Sequence, residues 1–475
     1  MRRISARRFD ALCYVRAPHM HLMAREVRHY ESQDRTNLAI VVLDYTDRDF
    51  GFIILGRDSR ELFRAIEVSS DWFPNPDLAE EALSLAIQKY EGDGQACYPQ
   101  DDETGSPHNI YEPRVSPEKQ HQYFKVLVEE PRMEAARRII QEIAFSFVDV
   151  DGNYIEQFQS TAFDQRLWEL FLYVLFHKEL FEIDNTQSAP DFHLKKFGEE
   201  LFVEAVTVGA NPDFDVVADT PAMVAELSKD YAPIKFGSAL FSKINRKRQY
   251  WELPHVAGKP FVLAVHDYHG LADGLNLGSM TWTRAGLVNY LYGVRDEVET
   301  RDGEIVGPKM IVGRSGLEPA RRKIHEHRFK HKVIPSRFFD QPNAENVSGV
   351  LFSNGATITT FNRMGKISGL GGADVKMIRT GIWVGDDGVT TFPFAEDVDG
   401  EDYDEAWGDT VTLFHNPRAK HPIDPDLFPE IGHAVFDPIA FEVKYSLPPK
   451  HVMSSSTMVI APTPNENEAP AANDP

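Results

Sequence analysis

Cysteine is nearly absent: Cys13 and Cys97 are the only two in 475 residues. That excludes a disulfide framework and a cysteine zinc cluster, and it fits a reducing, cytoplasmic setting. Long apolar runs are missing too. The most apolar stretch, LFLYVLF (170–176), is far too short to span a bilayer, so no membrane association is expected. The basic opening MRRISARRFDAL lacks the apolar core of a signal peptide. Positive charge is scarce, with 50 Lys and Arg against 73 Asp and Glu, a net charge of −23. The surface as a whole repels nucleic acid and anionic membrane, so a polyanion would have to find a local basic patch. Neither cysteine has a local base, and no Ser-His-Asp set falls at a usable spacing.

What is present is ordinary for a globular protein: 42% apolar and 26% charged residues. The length suits two or three domains. Residues 1–90 read as an α+β domain. LAIVVLDYT (38–46), FGFIILGR (50–57) and LFRAIEV (62–68) are strand-like runs split by Asp-rich turns, and the helical spacing of 76–90 follows them. Residues 91–120 are rich in Gly, Pro and acids, a linker or long loop. A helix is expected over 131–146, then a plain turn at VDVDGNY (148–154). Residues 121–300 form the expected core and 301–453 an α+β C-terminal region. In that region 347–353 and 356–363 read as a hairpin around Asn354-Gly355. The low-complexity stretch 454–475 reads as a disordered tail.

The middle of the chain carries the chemistry. DQRLWELFLYVLFHKEL (164–180) is apolar almost all round, a buried helix. FEIDN (181–185), PDFHLK (190–195) and LFVEAVTV (201–208) read as strands, 236–253 as an amphipathic helix, and 259–269 as a buried strand. Glu204 stands inside an otherwise apolar strand, where an unpaired carboxylate costs several kcal/mol. Phe202, Glu204 and Val206 share one strand face, and Val203, Ala205 and Thr207 the other. The short link around Gly198 predicts a hairpin that sets Asp191 beside Glu204. Two such acids repel unless a cation lies between them, and oxygen donors suit Mg²⁺ or Mn²⁺. Glu169 shares a helix face with Leu172, Tyr173 and Phe176 and needs a partner as well. On the next helix, Lys243, Lys247 and Tyr250 are spaced to share a face flanked by Arg246 and Arg248.

With these residues, 164–270 resembles the PD-(D/E)xK nuclease superfamily, the restriction-endonuclease-like fold. The order helix, three strands, helix, strand is the same, and Pro190-Asp191 and Glu204-Ala205-Val206 stand at the two motif positions. The resemblance implies an α/β core with a mixed sheet flanked by helices. It implies Mg²⁺ or Mn²⁺ held by Asp191, Glu204 and the Ala205 carbonyl, with Glu169 assisting. Val206 replaces the lysine of the motif. Some members carry that lysine on the following helix, which points to Lys247, beside Arg246 and Arg248, or to Lys243. Arg321, Arg322 and Lys323, in the basic stretch 314–332, are further expected contacts to a nucleic-acid backbone. HDYH (266–269) reads as a strand end with incidental histidines, His266 or Asp267 rimming the cleft. The expected function is a metal-dependent nuclease acting on DNA rather than RNA, in restriction, defence or repair, and cutting both strands would favour a homodimer. The alternative is a nuclease-like protein that has lost cutting and binds nucleic acid or a protein.

Overall fold

The computed structural model describes residues 1–92, 95–209, 221–269, 283–301, 304–313, 316–385 and 390–460. The N-terminal unit is a five-stranded antiparallel sheet in chain order, and Leu38–Asp44, Phe50–Arg57 and Phe63–Val68 form the expected meander. Its residues alternate as a pleat demands. Ala39 and Val41 pack with Ala79 and Leu83 of the helix Pro76–Ala86, whereas Leu38, Ile40 and Val42 pack with Phe9 of the helix Ala6–Leu12. The first of these helices starts cleanly because the Asn75 side chain accepts from the amides of Asp77 and Leu78, with Pro76 at the first turn.

The segment expected as a linker is irregular but packed. The Tyr98 amide donates to the Arg57 carbonyl at 2.7 Å, and Ile110 is fully buried in the main core. The polar turn after residue 147 is a turn, with the Asp149 carboxylate accepting from the amides of Gly152 and Tyr154.

An eight-stranded mixed sheet organises the rest: β1 Glu182–Ile183, β2 Phe192–Lys196, β3 Glu199–Val208, β4 Phe261–Asp267, β5 Gly349–Ser353, β6 Thr412–His415, β7 Gly432–Asp437 and β8 Glu442–Ser446. Its strands lie side by side in sequence order. The pairs β3–β4, β4–β5 and β6–β7 are parallel and the others antiparallel. The protein is therefore mixed α/β, and four strands from beyond residue 300 continue the central sheet.

Two helices cover its faces. Helix α1 (Phe163–Lys178) is buried almost all round, as its sequence requires, and packs Leu167, Trp168 and Phe171 with Val203, Ala205 and Val262. Helix α2 (Tyr231–Ile244) packs Phe236, Leu240 and Ile244 with Phe202, Val206 and Leu263 on the other face.

Two expectations are corrected. The second half of the hairpin around Asn354-Gly355 is a helix, α3 (Ile358–Ile367). Thr357 caps it, and Ile358, Phe361 and Met364 bury one stripe, so capping and packing override the β-propensity of ATITTF. Gly365 lets this helix approach Glu134–Ser146 closely; a Cβ there would lie 2.3 Å from the Ala135 carbonyl oxygen. The basic stretch 314–332 contributes strands, Arg321–Lys323 pairing with Val294–Asp296 and Glu326–Phe329 with Lys332–Pro335. Arg314 lies outside the described residues.

The second correction concerns the tail. Residues 454–460 belong to the strand His451–Ile460, which pairs along Lys376–Val384, and residues 461–475 lie outside the described residues. Thr457 of that strand accepts from buried Arg363. Truncation after Met453 is expected to cost more than about 2 kcal/mol, since it strands a buried charged donor and a full ladder edge. Urea unfolding of the shortened chain checks this, and an unchanged midpoint would refute it.

Candidate functional site

The β2–β3 hairpin brings the two leading acids together. Its ladder runs from Lys196↔Glu199 to Phe192↔Val203, and one step further sets Asp191 opposite Glu204. The Asp191 carboxylate accepts the Ala205 amide at 2.7 Å, which ties it to the neighbouring strand. Glu204 is 6% exposed and faces α2. Its Oε1 accepts from Lys243 Nζ at 2.6 Å and from the Tyr250 hydroxyl. A buried carboxylate is tolerated here because an ammonium and a phenol satisfy it.

The lysine in contact is Lys243 and not Lys247. The expected helix 236–253 ends at Ile244, and Asn245 leaves helical geometry. Lys247 and Arg248 then fall in an exposed turn, so the i, i+4, i+7 spacing no longer places them with Lys243. Tyr250 returns to the site through a single 3₁₀ turn, Tyr250–Glu252. Arg246, also exposed, lies with its guanidinium 4.0 Å from the centre of the Tyr250 ring.

Glu169 comes from α1, on the opposite face of β3 from α2. It is 3% exposed and pairs with Arg166, while Gln165 Nε2 donates to its Oε1 at 3.0 Å. Gln165 also reaches the Ala205 carbonyl at 3.3 Å and accepts from the Thr207 hydroxyl at 3.1 Å, fastening the helix to the strand behind the acids. Gln165 and Thr207 were missed in the sequence, although Gln165 and Glu169 stand at i, i+4.

The three acids feel one another. Desolvation and the charges on Glu204 and Glu169 raise the Asp191 carboxyl well above the usual range. Burial raises Glu169, against Arg166, with the Glu204 charge adding to the rise. Three carboxylates face two cations, Arg166 and Lys243, which leaves one negative charge to be met by a proton or a bound cation.

Asp191, Glu204 and the Ala205 carbonyl offer oxygen donors only, the chemistry of a hard divalent ion. Among the described residues no group of three or more His, Cys, Asp or Glu side chains comes together closely enough to hold a metal. Glu169, behind the strand, does not complete one. The set that remains, two carboxylates and a carbonyl, is of the kind Mg²⁺ takes together with water and substrate phosphate.

The other candidates lie apart. Arg321 pairs with Asp296 at 3.3 Å and with Glu442 of β8 at 3.1 Å, and Lys323 lies over Phe441. β8 is five strands from β3, roughly 24 Å at ordinary strand spacing, so Arg321, Arg322 and Lys323 do not adjoin the acids. His266 does not rim a cleft. It is fully buried, accepts the Ala356 amide at 2.8 Å, and is lowered by burial to about 3, a neutral core histidine. Asp267 is buried as well, in contact with His269 and Thr283. Compared with family models, curated proteins and solved structures, the chain matches none.

Proposed function

We propose that the chain is a divalent-metal-dependent nuclease of restriction-endonuclease-like fold, with Asp191 and Glu204 as the metal-holding acids and DNA as the substrate. The observation that carries this reading is the crowding of Asp191 against Glu204 with a lysine at 2.6 Å on the second acid. The order of α1, β1, β2, β3, α2 and β4 in one mixed sheet supports it. Bound there, Mg²⁺ or Mn²⁺ would polarise a phosphate oxygen and lower the pKa of an attacking water. Asp191, held by the Ala205 amide, keeps its carboxylate aimed without a rotamer search. Lys243 supplies the positive charge that the lost motif lysine would have carried, stabilising charge on the phosphate being cut. Tyr250 keeps a hydrogen bond on Glu204 if Lys243 turns to that phosphate. Arg246, exposed beside Tyr250, is placed for a flanking phosphate.

One observation favours the second reading, a protein that binds nucleic acid or a protein partner without cutting: Glu204 is already satisfied by Lys243 and Tyr250, and among the described residues no third acid joins it and Asp191 closely enough to hold a metal. Purified protein incubated with supercoiled plasmid, linear DNA and RNA, in Mg²⁺, Mn²⁺ or EDTA, separates the two. Metal-dependent breakdown supports cutting, and metal-independent retention without breakdown supports binding alone.

The choice of lysine is tested separately. Lys243→Ala is expected to slow cleavage by roughly 10²-fold or more, the scale of one lost transition-state donor. Lys247→Ala is expected to stay within about threefold of the native rate. The reverse order would return the role to Lys247.

A further inference from the structure

A second cavity, of about 270 Å³, lies where the helix Ala6–Leu12 meets the end of α1, α3 and the segment 405–408. Much of its wall is apolar, formed by Tyr14, Ile139, Leu175, Met364 and Trp407. Much of the rest is charged, with Arg7, Asp10, Lys178, Glu179, Glu405 and Glu430, and one of these acids is poorly satisfied. Glu179 is 2% exposed, its Oε1 accepts only the Glu430 amide at 3.2 Å, and its Oε2 has no partner. A buried carboxylate oxygen left in this way is destabilising, since it gave up its water without gaining a donor.

The local field makes the position worse for an anion. Glu179 caps the C-terminus of α1, where the unpaired carbonyls carry partial negative charge. The carboxylate of Glu430 also lines the cavity and adds a like charge. The nearby cations are engaged elsewhere: Lys178 with Asp10, Arg7 with Asp404, and Lys196 with the Leu427 carbonyl. Burial and the Glu430 charge raise Glu179 to about 7, and the nearby Lys196 charge offsets only part of that rise.

We propose that this cavity is a binding site for a small organic monocation, an ammonium group on a compact apolar body, with Glu179 as its anionic contact. The last torsion of a glutamate is soft, so the carboxylate turns toward the cavity at little cost. The apolar part of the wall suits a hydrocarbon body, and among the described residues no three acids come together closely enough to hold a bare metal ion. The site is independent of the Asp191–Glu204 pair, and its test does not depend on nuclease activity.

The test is calorimetric titration of the full chain at about pH 8 with three phenyl-bearing probes of similar size: 2-phenylethylammonium, 2-phenylethanol and phenylacetate. The ammonium is expected to bind, the alcohol at least tenfold more weakly, and the carboxylate not at all. Glu179→Gln should weaken the ammonium at least tenfold without lowering thermal stability. Ala406→Trp, at an exposed wall position, should block binding in a folded chain. No binding of the ammonium to the native chain, equal binding of ammonium and alcohol, or undiminished binding by Glu179→Gln would each overturn the proposal. Should Glu179→Gln fail to fold, Ala406→Trp decides, and full affinity in that variant sinks the site.

Discussion

Asp191→Asn and Glu204→Gln are each expected to lower metal-dependent plasmid cleavage by roughly 10³-fold, with binding of DNA largely kept. Each removes one of two charged oxygen donors that the proposed metal needs, and an amide does not replace a carboxylate toward a hard cation. The two variants differ in stability, and the difference separates a catalytic loss from a folding loss. Asp191 is raised above its unfolded value, so the native state holds its proton more tightly than the unfolded chain. At neutral pH its ionisation therefore costs stability, and asparagine is expected to fold as well as or better than the native chain. Glu204→Gln leaves Lys243 without its charged partner and is expected to lose about 1–3 kcal/mol. Nicking rates in Mn²⁺ and thermal melts, read together, test both statements. A folded Asp191→Asn protein that still cuts at the native rate would remove Asp191 from the site.

What could be read in the sequence was what depends on short range. The β2–β3 hairpin followed from a short link with Gly198, and the alternation of Phe202 to Thr207 fixed the faces, because strand periodicity is set by local geometry. The buried helix α1 followed from an apolar stretch with no polar side to show water. Which of the two lysines meets Glu204 was not legible, because a helix end decides it. Only where Asn245 stops α2 does Lys243 become the last lysine on the inner face and Lys247 a turn residue, and the sequence carries no Gly or Pro there to mark the stop. The helix α3 and the strand His451–Ile460 were misread for a longer-range reason. Both are held by partners far along the chain, Glu134–Ser146 for the helix and Lys376–Val384 for the strand. The seclusion of Glu169 behind β3 has the same origin, since which face a helix takes is a property of the packed sheet.

The largest loss of stability is expected at a site that function does not use. Glu405 is 4% exposed and lies between two guanidinium groups, those of Arg363, 1% exposed, and Arg379, 2% exposed. Arg363 grips it side-on, Nε to Oε2 at 2.8 Å and Nη2 to Oε1 at 2.7 Å, while Arg379 Nη1 stands 3.2 Å from Oε1 and Tyr403 donates its hydroxyl. The cluster joins α3, the strand Lys376–Val384 and the segment before Trp407. Glu405→Gln leaves two buried cations with no anion, and Arg379 has Nε and Nη2 unpartnered already. The expected cost is about 3–5 kcal/mol. Double replacement by Arg363→Met and Glu405→Leu should recover part of it, because packing replaces a desolvated pair. The pH dependence follows with a definite sign. Burial opposes ionisation of Glu405, but the Arg363 and Arg379 charges outweigh it and hold the carboxyl at about 2. A carboxyl lowered on folding adds stability above its unfolded value of about 4.3 and loses it as the pH falls toward the folded one. The native chain should therefore lose stability steeply between about pH 4.5 and pH 2, and Glu405→Gln should lack that component. Urea midpoints of the two proteins across this window measure the difference directly, and parallel curves would mean that Glu405 is not ionised in the fold.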